Sequence, residues 1–271
     1  MFKDIVYIIK NISKLKEVIN WEIPSFPVAV GNPARVISNR LKLDLSRIDI
    51  NTINQLSEEE FKTKEELIKK VLDYSPESEG IPATEERAFP GEKRFIESGY
   101  YKIMLKRYLF AGTALCIDSD VLDTCCGLGW GSYIVAHYAK QVTAVDIDKE
   151  VINLCMDTWE VPNVSWIQGD VLKLSYFIDR KFDVALGMET IEHFRKEDGE
   201  KYVEMVFNML NDGGLFVGTS AFPETRKEAD ELLKNNDSHL YIFTLCEMKN
   251  ILSRYFKEHN IVNNWMFIAR K

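Results

Sequence analysis

Residues 121–132 read Val-Leu-Asp-Thr-Cys-Cys-Gly-Leu-Gly-Trp-Gly-Ser. An apolar run passes through an acid into three alternate glycines before helix-forming sequence resumes at Ser132. No other stretch restricts the fold as much. A buried strand must turn sharply into a helix, and glycine lets the backbone make that turn and lets a ligand approach the main chain. The rhythm then continues. Ser132 to Ala139 reads as a helix, Gln141 to Asp146 as a strand and Lys149 to Trp159 as a helix. Val164 to Gly169 and Phe182 to Gly187 read as strands, Glu197 to Leu210 as a helix and Gly214 to Ser220 as a strand. Leu245 to Phe256 and Trp265 to Ala269 add a last helix and strand. Strands separated by helices in this way mean βαβ units and a parallel sheet.

Two further acids fall where such a sheet binds nucleosides. Asp146 ends the second strand, seventeen residues after Gly129, and Asp170 follows the third. At the carboxyl edge of a doubly wound sheet, the first can accept both ribose hydroxyls and the second can receive an adenine amino proton. A dinucleotide or S-adenosylmethionine would suit these positions. The dinucleotide fingerprint needs a glycine five residues after Gly127, where this chain has Ser132, so that fingerprint fails.

With these residues in view, the stretch from 120 to 271 resembles the class I S-adenosylmethionine-dependent methyltransferases. The resemblance implies an α/β Rossmann-like sheet, seven-stranded and mostly parallel, with helices on both faces. It implies that Asp123 and the backbone of Cys125, Gly127 and Gly129 hold the methionine part of the cofactor. Asp146 would hold the ribose, Ile147 would flank the adenine, and Asp170 with Val171 would bind its edge. S-adenosylhomocysteine would be the product. One residue departs from the pattern: the usual first glycine of the loop is Cys125. The adjacent thiols of Cys125 and Cys126 are read as packing groups, since buried cysteine behaves as a small apolar residue.

Upstream, Glu86-Arg87-Ala88-Phe89-Pro90-Gly91 and Lys106-Arg107-Tyr108-Leu109-Phe110-Ala111 extend the resemblance to methyltransferases of surface-glycan assembly. There the segment before the core covers the cofactor. Arg87 or Arg107 would then pair with the methionine carboxylate, which a guanidinium binds bidentately. Downstream, Gly187-Met188-Glu189-Thr190-Ile191-Glu192-His193-Phe194 follows the fourth strand. If this segment is helical, Glu189, Glu192 and His193 share one face, with Glu189 reaching the cofactor.

Methyl transfer to a hydroxyl needs a proton removed as the oxygen attacks the sulfonium carbon, and histidine suits that role near neutral pH. His193 and His239 are the candidate bases, with Glu192 beside them; His137 is expected mid-helix and His259 near a surface turn. Glu-x-x-Glu-His is also similar to the metal site of small-RNA 3′-terminal 2′-O-methyltransferases and of a ubiquinone-pathway O-methyltransferase. On that resemblance Glu189, Glu192, His193 and His239 would hold Mg²⁺, Mn²⁺ or Zn²⁺. The expected acceptor is a sugar, nucleotide sugar or glycan hydroxyl. A phenolic, quinone or lipid acceptor, or a non-catalytic S-adenosylmethionine-binding module, are the alternatives.

The first 120 residues are different in character. Residues 1–20 carry apolar side chains at helical spacing, and prolines and glycines interrupt residues 21–45. Ser57 and Glu60 have capping-box spacing before a short helix carrying Phe61, Leu67, Ile68, Val71 and Leu72. A loop at 76–92 and a helix from Glu92 to Ala111 complete a mostly helical extension. Residues 18–37 resemble the carboxyl-terminal tail of left-handed β-helix acyltransferases acting on nucleotide sugars, although the hexapeptide coils of those enzymes are absent. Fusion to, or association with, a sugar acyltransferase would explain such a tail. The expected division is a tail-like extension at 1–45, a helical extension and cofactor lid at 46–119, and a methyltransferase domain at 120–271.

Charge and cysteine usage narrow the partners. Thirty-four Lys and Arg against 42 Asp and Glu leave a net charge of −8, which favours a small-molecule acceptor over duplex nucleic acid. Five cysteines, none in a CxxC pair, point to thiols kept reduced in the cytoplasm. The apolar run Ile5 to Ile9 is too short for a signal peptide, and no stretch is long enough for a membrane span.

Overall fold

The computed structural model describes residues 43–76, 88–234 and 236–271. The expected helix at 1–20, the tail-like segment at 18–37 and Arg87 lie outside them. In chain order the helices are α1 (Ile50–Thr63), α2 (Glu65–Leu72), α3 (Lys93–Ser98), α4 (Tyr101–Ala114), α5 (Trp130–Ala136), α6 (Lys149–Thr158), α7 (Lys196–Met209), α8 (Arg226–Leu233) and α9 (Leu245–Tyr255). The strands are β1 (Asp120–Thr124), β2 (Gln141–Asp146), β3 (Val164–Gln168), β4 (Phe182–Met188), β5 (Leu210–Thr219), β6 (Glu258–Val262) and β7 (Met266–Arg270).

The seven strands form one sheet in the order β3-β2-β1-β4-β5-β7-β6. Pairs from β3 through β5 are parallel, and β7 runs antiparallel to both β5 and β6. Because successive strand residues face opposite sides, each strand feeds two cores. Val121, Val142, Ala144, Val184, Leu215 and Ile268 join α1, α2, α4, α5 and α6 on one face. Leu122, Val145, Ala185, Phe216, Phe267 and Ala269 join α7 and α9 on the other. Helices thus cover both faces, as the alternating apolar pattern requires. Among the described residues no helix is long and apolar enough to cross a membrane.

The segment before α1 is stitched to the far edge of this sheet. Asn260 on β6 donates its amide to the carbonyls of Leu45 and Ile48 at 2.8 and 2.7 Å. Glu258 accepts the Leu45 N–H at 3.2 Å.

Several local expectations need correction. Ser57 does not start a helix. It sits buried inside α1 and donates to the Ile53 carbonyl at 2.6 Å, while Asp49 caps the helix by accepting the Thr52 N–H at 2.8 Å. Glu60 is buried and accepts the Tyr138 hydroxyl. True capping boxes occur at Thr225/Glu228 and Thr244/Glu247, opening α8 and α9. The single helix expected over 92–111 is two, because Gly99 adopts φ +74 and ends α3 there. Helix α8 and strand β6 were not anticipated, and β5 starts at Leu210 instead of Gly214. His137 is the C-cap of α5, and His259 lies within β6.

Candidate functional site

Strand order reverses at β1, whose neighbours β2 and β4 lead away in opposite directions. A crevice opens at the carboxyl end of the strands where this happens, and ligands bind in it. The glycine-bearing loop lies there. Gly127 and Gly129 have φ of +52 and +74, and Cys125 has φ +54. The departure at Cys125 therefore falls on left-handed backbone, costing about 1–2 kcal/mol for a residue with a Cβ. That is why glycine is the usual occupant.

Neighbouring elements hold the loop in shape. Asp146, at the end of β2, accepts the Gly127 N–H at 2.9 Å and the Asp148 N–H at 3.0 Å. Trp159 donates its indole N–H to the Leu128 carbonyl at 2.7 Å, and the Cys155 thiol donates to the Gly127 carbonyl at 3.4 Å. On the other side of the loop, Gly131 lets the Tyr108 ring settle against α5. A Cβ there would lie 2.1 Å from the ring. Cys126 and Cys155 are buried, in keeping with packing roles.

Asp123 is fully buried on β1. One carboxylate oxygen accepts the Ser132 hydroxyl at 2.6 Å, and the other has no hydrogen-bond partner. Burial raises its pKa to about 7, against the opposing Ser132 hydrogen bond. An acid left in this state is suited to meet a cationic or N–H-bearing ligand, which would satisfy its remaining oxygen.

Above the loop is a cleft of about 360 Å³. Tyr100, Met104, Arg107 and Tyr108, from α4 and its N-cap, line it together with Met188, Glu189, Glu192 and His193, from the end of β4 and the turn after it. Arg107 is buried and lies 3.0 Å from Glu189 through Nη1 and Oε1, while its Nε has no partner. Arg107 thus pairs with Glu189 and keeps a donor, Nε, without a hydrogen-bond partner.

The cluster after β4 is not the helical face expected. Glu189 has φ +51, and only Ile191–His193 form a short 3-10 turn. Glu189 pairs with Arg107 through its carboxylate. Its N–H bonds to the Thr219 carbonyl and hydroxyl at 2.9 and 3.1 Å, tying β4 to β5. His239 takes its place in the cluster. The Glu192 carbonyl accepts the N–H groups of Leu240 and Tyr241 at 2.8 and 3.3 Å, drawing the 236–241 turn over the site. Atoms of Glu192, His193 and His239 able to bind a metal all lie within 4.8 Å of one another. Glu189 is outside that group, which corrects the four-residue set.

Hydrogen bonds orient both histidine rings. His193 Nδ1 lies 3.2 Å from the Ser238 carbonyl, which can only accept, so Nδ1 carries a proton and donates it there. The Asn236 side chain lies 3.0 Å from His239 Nε2 through its amide nitrogen, which donates there. Glu192 is buried with one oxygen lacking a partner. Burial, aided by the charge of Glu189, pushes its pKa well above the usual carboxylate range.

The remaining expected residues lie outside the cleft lining. Ile147 is 68% exposed at the mouth of the sheet edge. Asp170 caps a 3-10 turn by accepting the Leu172 N–H at 3.0 Å and pairs with Lys173 at 3.0 Å. The Val171 side chain is buried in the core, so only its backbone can meet an adenine edge. Sequence reasoning passed over Tyr100, Trp130 and Asn236. Trp130 donates to the Ala88 carbonyl at 3.2 Å, and an aromatic directly after the Gly99 break was the available sign of Tyr100.

Residues 121–214 match a family described as a methyltransferase domain. This stretch is similar to S-adenosylmethionine-dependent methyltransferases. A Mycolicibacterium smegmatis protein named "Probable S-adenosylmethionine-dependent methyltransferase" is 28% identical over 141 residues, covering 51% of this chain and 50% of that protein. A fatty-acid O-methyltransferase of the same organism is 30% identical over 127 residues, covering 44% of this chain and 45% of its own. The chain thus spans about half the length of these curated relatives. Among solved structures, N-methyltransferase NodS from Bradyrhizobium japonicum, in complex with S-adenosylhomocysteine, superposes with a TM-score of 0.51. It is 18% identical and covers 66% of this chain and 89% of that one, a likeness of fold.

Proposed function

We propose that the whole chain is an S-adenosylmethionine-dependent O-methyltransferase that methylates a hydroxyl of a sugar or glycan, with His193 as general base. The methionine moiety would rest on the 125–129 loop near Asp123, with its carboxylate at Arg107. Asp146 would take the ribose hydroxyls and Asp170 the adenine. The observation carrying the reading is the orientation of His193. Its Nδ1–H is held by the Ser238 carbonyl, so the nitrogen that would take a proton is Nε2, on a side chain lining the cleft that the glycine loop also lines. A hydroxyl placed between Nε2 and the sulfonium methyl would lose its proton to the imidazole as its oxygen attacks. Proximity and alignment in the cleft supply the rest of the rate.

The polar wall of Glu192, His193, Asn236 and His239 supports a hydroxyl-rich acceptor head. The name of the fatty-acid O-methyltransferase supports oxygen as the acceptor atom. Residues 46–119 would act as the lid over the cofactor, since α4 supplies Arg107 and Tyr108 to the cleft. A reducing cytoplasmic setting fits the buried thiols.

The grouping of Glu192, His193 and His239 favours a second reading, in which the three hold a divalent ion that orients vicinal hydroxyls. Labelled cofactor and a panel of nucleotide sugars, oligosaccharides, phenols and quinones test the acceptor, and transfer to phenols or quinones alone would end the glycan reading. His193→Ala should leave S-adenosylhomocysteine binding intact while slowing transfer at least 100-fold. Loss of activity on exhaustive chelation, restored by one added metal, would move His193 from base to ligand.

A further inference from the structure

The cleft continues into a groove that the reaction itself does not need. Arg94, Phe95 and Tyr100 line the reaction cleft and also a second, shallower depression of about 480 Å³ completed by Ser98, Gly99 and Ile103. Its walls are apolar. Phe95 and Tyr100 rings stand 5.5 Å apart, and Tyr100 and Ile103 are 41% and 42% exposed, with Ile96 nearby at 41%. These residues come from α3 and the start of α4, on either side of the Gly99 break. Further along α4, Met104, Leu105, Tyr108, Leu109 and Phe110 are all buried, so on α4 large exposed apolar side chains lie only at the end beside the cleft.

Among the described residues that line the groove, the one charge is already compensated. Arg94 pairs with Glu92 at 2.6 Å and lies over the Phe95 ring at 4.4 Å. No ionic partner is called for, and the groove opens directly into a polar reaction site. A ligand filling both must be polar at its reactive end and apolar beyond it.

We infer that the acceptor is amphipathic, its hydroxyl-bearing head at His193 and an alkyl chain lying along Phe95, Tyr100 and Ile103. This rests on the O-methyltransferase reading and adds the chain to the acceptor. Full burial of one methylene corresponds to about fourfold in affinity, and a groove open on one side covers about half of it, or about twofold per methylene.

Calorimetry on the full chain loaded with S-adenosylhomocysteine tests this with two series: n-alkyl glucosides from ethyl to octyl and n-alkanoates from propanoate to nonanoate. Six added methylenes should tighten binding by about 60-fold. Ile103→Ser, at an exposed position, should flatten that dependence to less than about 10-fold while S-adenosylhomocysteine affinity stays unchanged. Affinity independent of chain length in both series would overturn the inference. So would the same steep dependence in Ile103→Ser. Steep dependence for alkanoates alone would keep the chain and discard the sugar head. Methylation of short soluble sugars as efficient as that of their octyl glycosides would keep the glycan reading and discard the chain.

Discussion

Alanine at Gly127 and alanine at Gly129 should damage this protein in different ways, although the residues are two apart in one loop. At Gly127 a new Cβ would meet nothing within 4 Å. The folding cost is then the left-handed backbone alone, about 1–2 kcal/mol. That Cβ would point into the space above the loop, where the methionine moiety is proposed to lie. Crowding a ligand by one methyl costs about 1–3 kcal/mol, or roughly 5- to 150-fold in affinity. At Gly129 the Cβ would lie 2.7 Å from Cys155 Sγ and 2.8 Å from the Trp166 ring. Backbone strain and overpacking then combine to about 2–5 kcal/mol of stability. Urea unfolding measures the first quantity and calorimetry with S-adenosylhomocysteine the second. Gly127→Ala should be the more stable variant and still bind poorly. If it binds S-adenosylhomocysteine like the parent protein, the open side of the loop is not where the cofactor sits, and the methionine assignment fails.

Asp146→Ala should abolish S-adenosylhomocysteine binding, because it removes the ribose acceptor and the brace on the Gly127 N–H together; retained binding by calorimetry would sink the ribose assignment. Burial pushes Glu247 up, but Lys196, Tyr241 and Thr244 overcome this and bring its pKa to about 2. Its stabilisation is therefore complete above the unfolded pKa near 4.5 and lost as pH falls toward 2. After screening at a partly exposed site it amounts to about 1–2 kcal/mol, and Glu247→Gln should lose that slope in acid unfolding curves. Asp123 behaves oppositely: with a folded pKa of about 7, the native state keeps a proton that the unfolded chain has released. Stability of the ligand-free protein should fall from about pH 4 to pH 7, by at most about 4 kcal/mol. Asp123→Asn should remove that slope in denaturant titrations at successive pH values.

Much of the catalytic sheet was legible because its signals are local. Val121 to Ser132 specifies strand, turn and helix within twelve residues, and the positive φ values at Gly127 and Gly129 are what glycine there permits. Capping at Ser57 failed for the opposite reason. Its spacing to Glu60 is that of a box, yet Glu60 is drawn inward to Tyr138, 78 residues away, and α1 starts earlier at Asp49. The antiparallel β6 was overlooked because Glu258 to Val262 is short and its residues are mostly half-exposed.

The reactive cluster divides along the same line. Sequence by itself determined the alternating strand-and-helix pattern, the glycine-bearing loop and the candidacy of Glu192, His193 and His239. It could not choose among their neighbours, since helical spacing grouped Glu189 with them. The tertiary structure made that choice. A left-handed residue at Glu189 sends its carboxylate to Arg107 on α4, and the Glu192 carbonyl captures the turn that carries His239. Periodicity reports only on contacts within a turn of helix or along a strand. Contacts between α4, the end of β4 and the 236–241 turn depend on how separate elements pack, and that packing assembled the site.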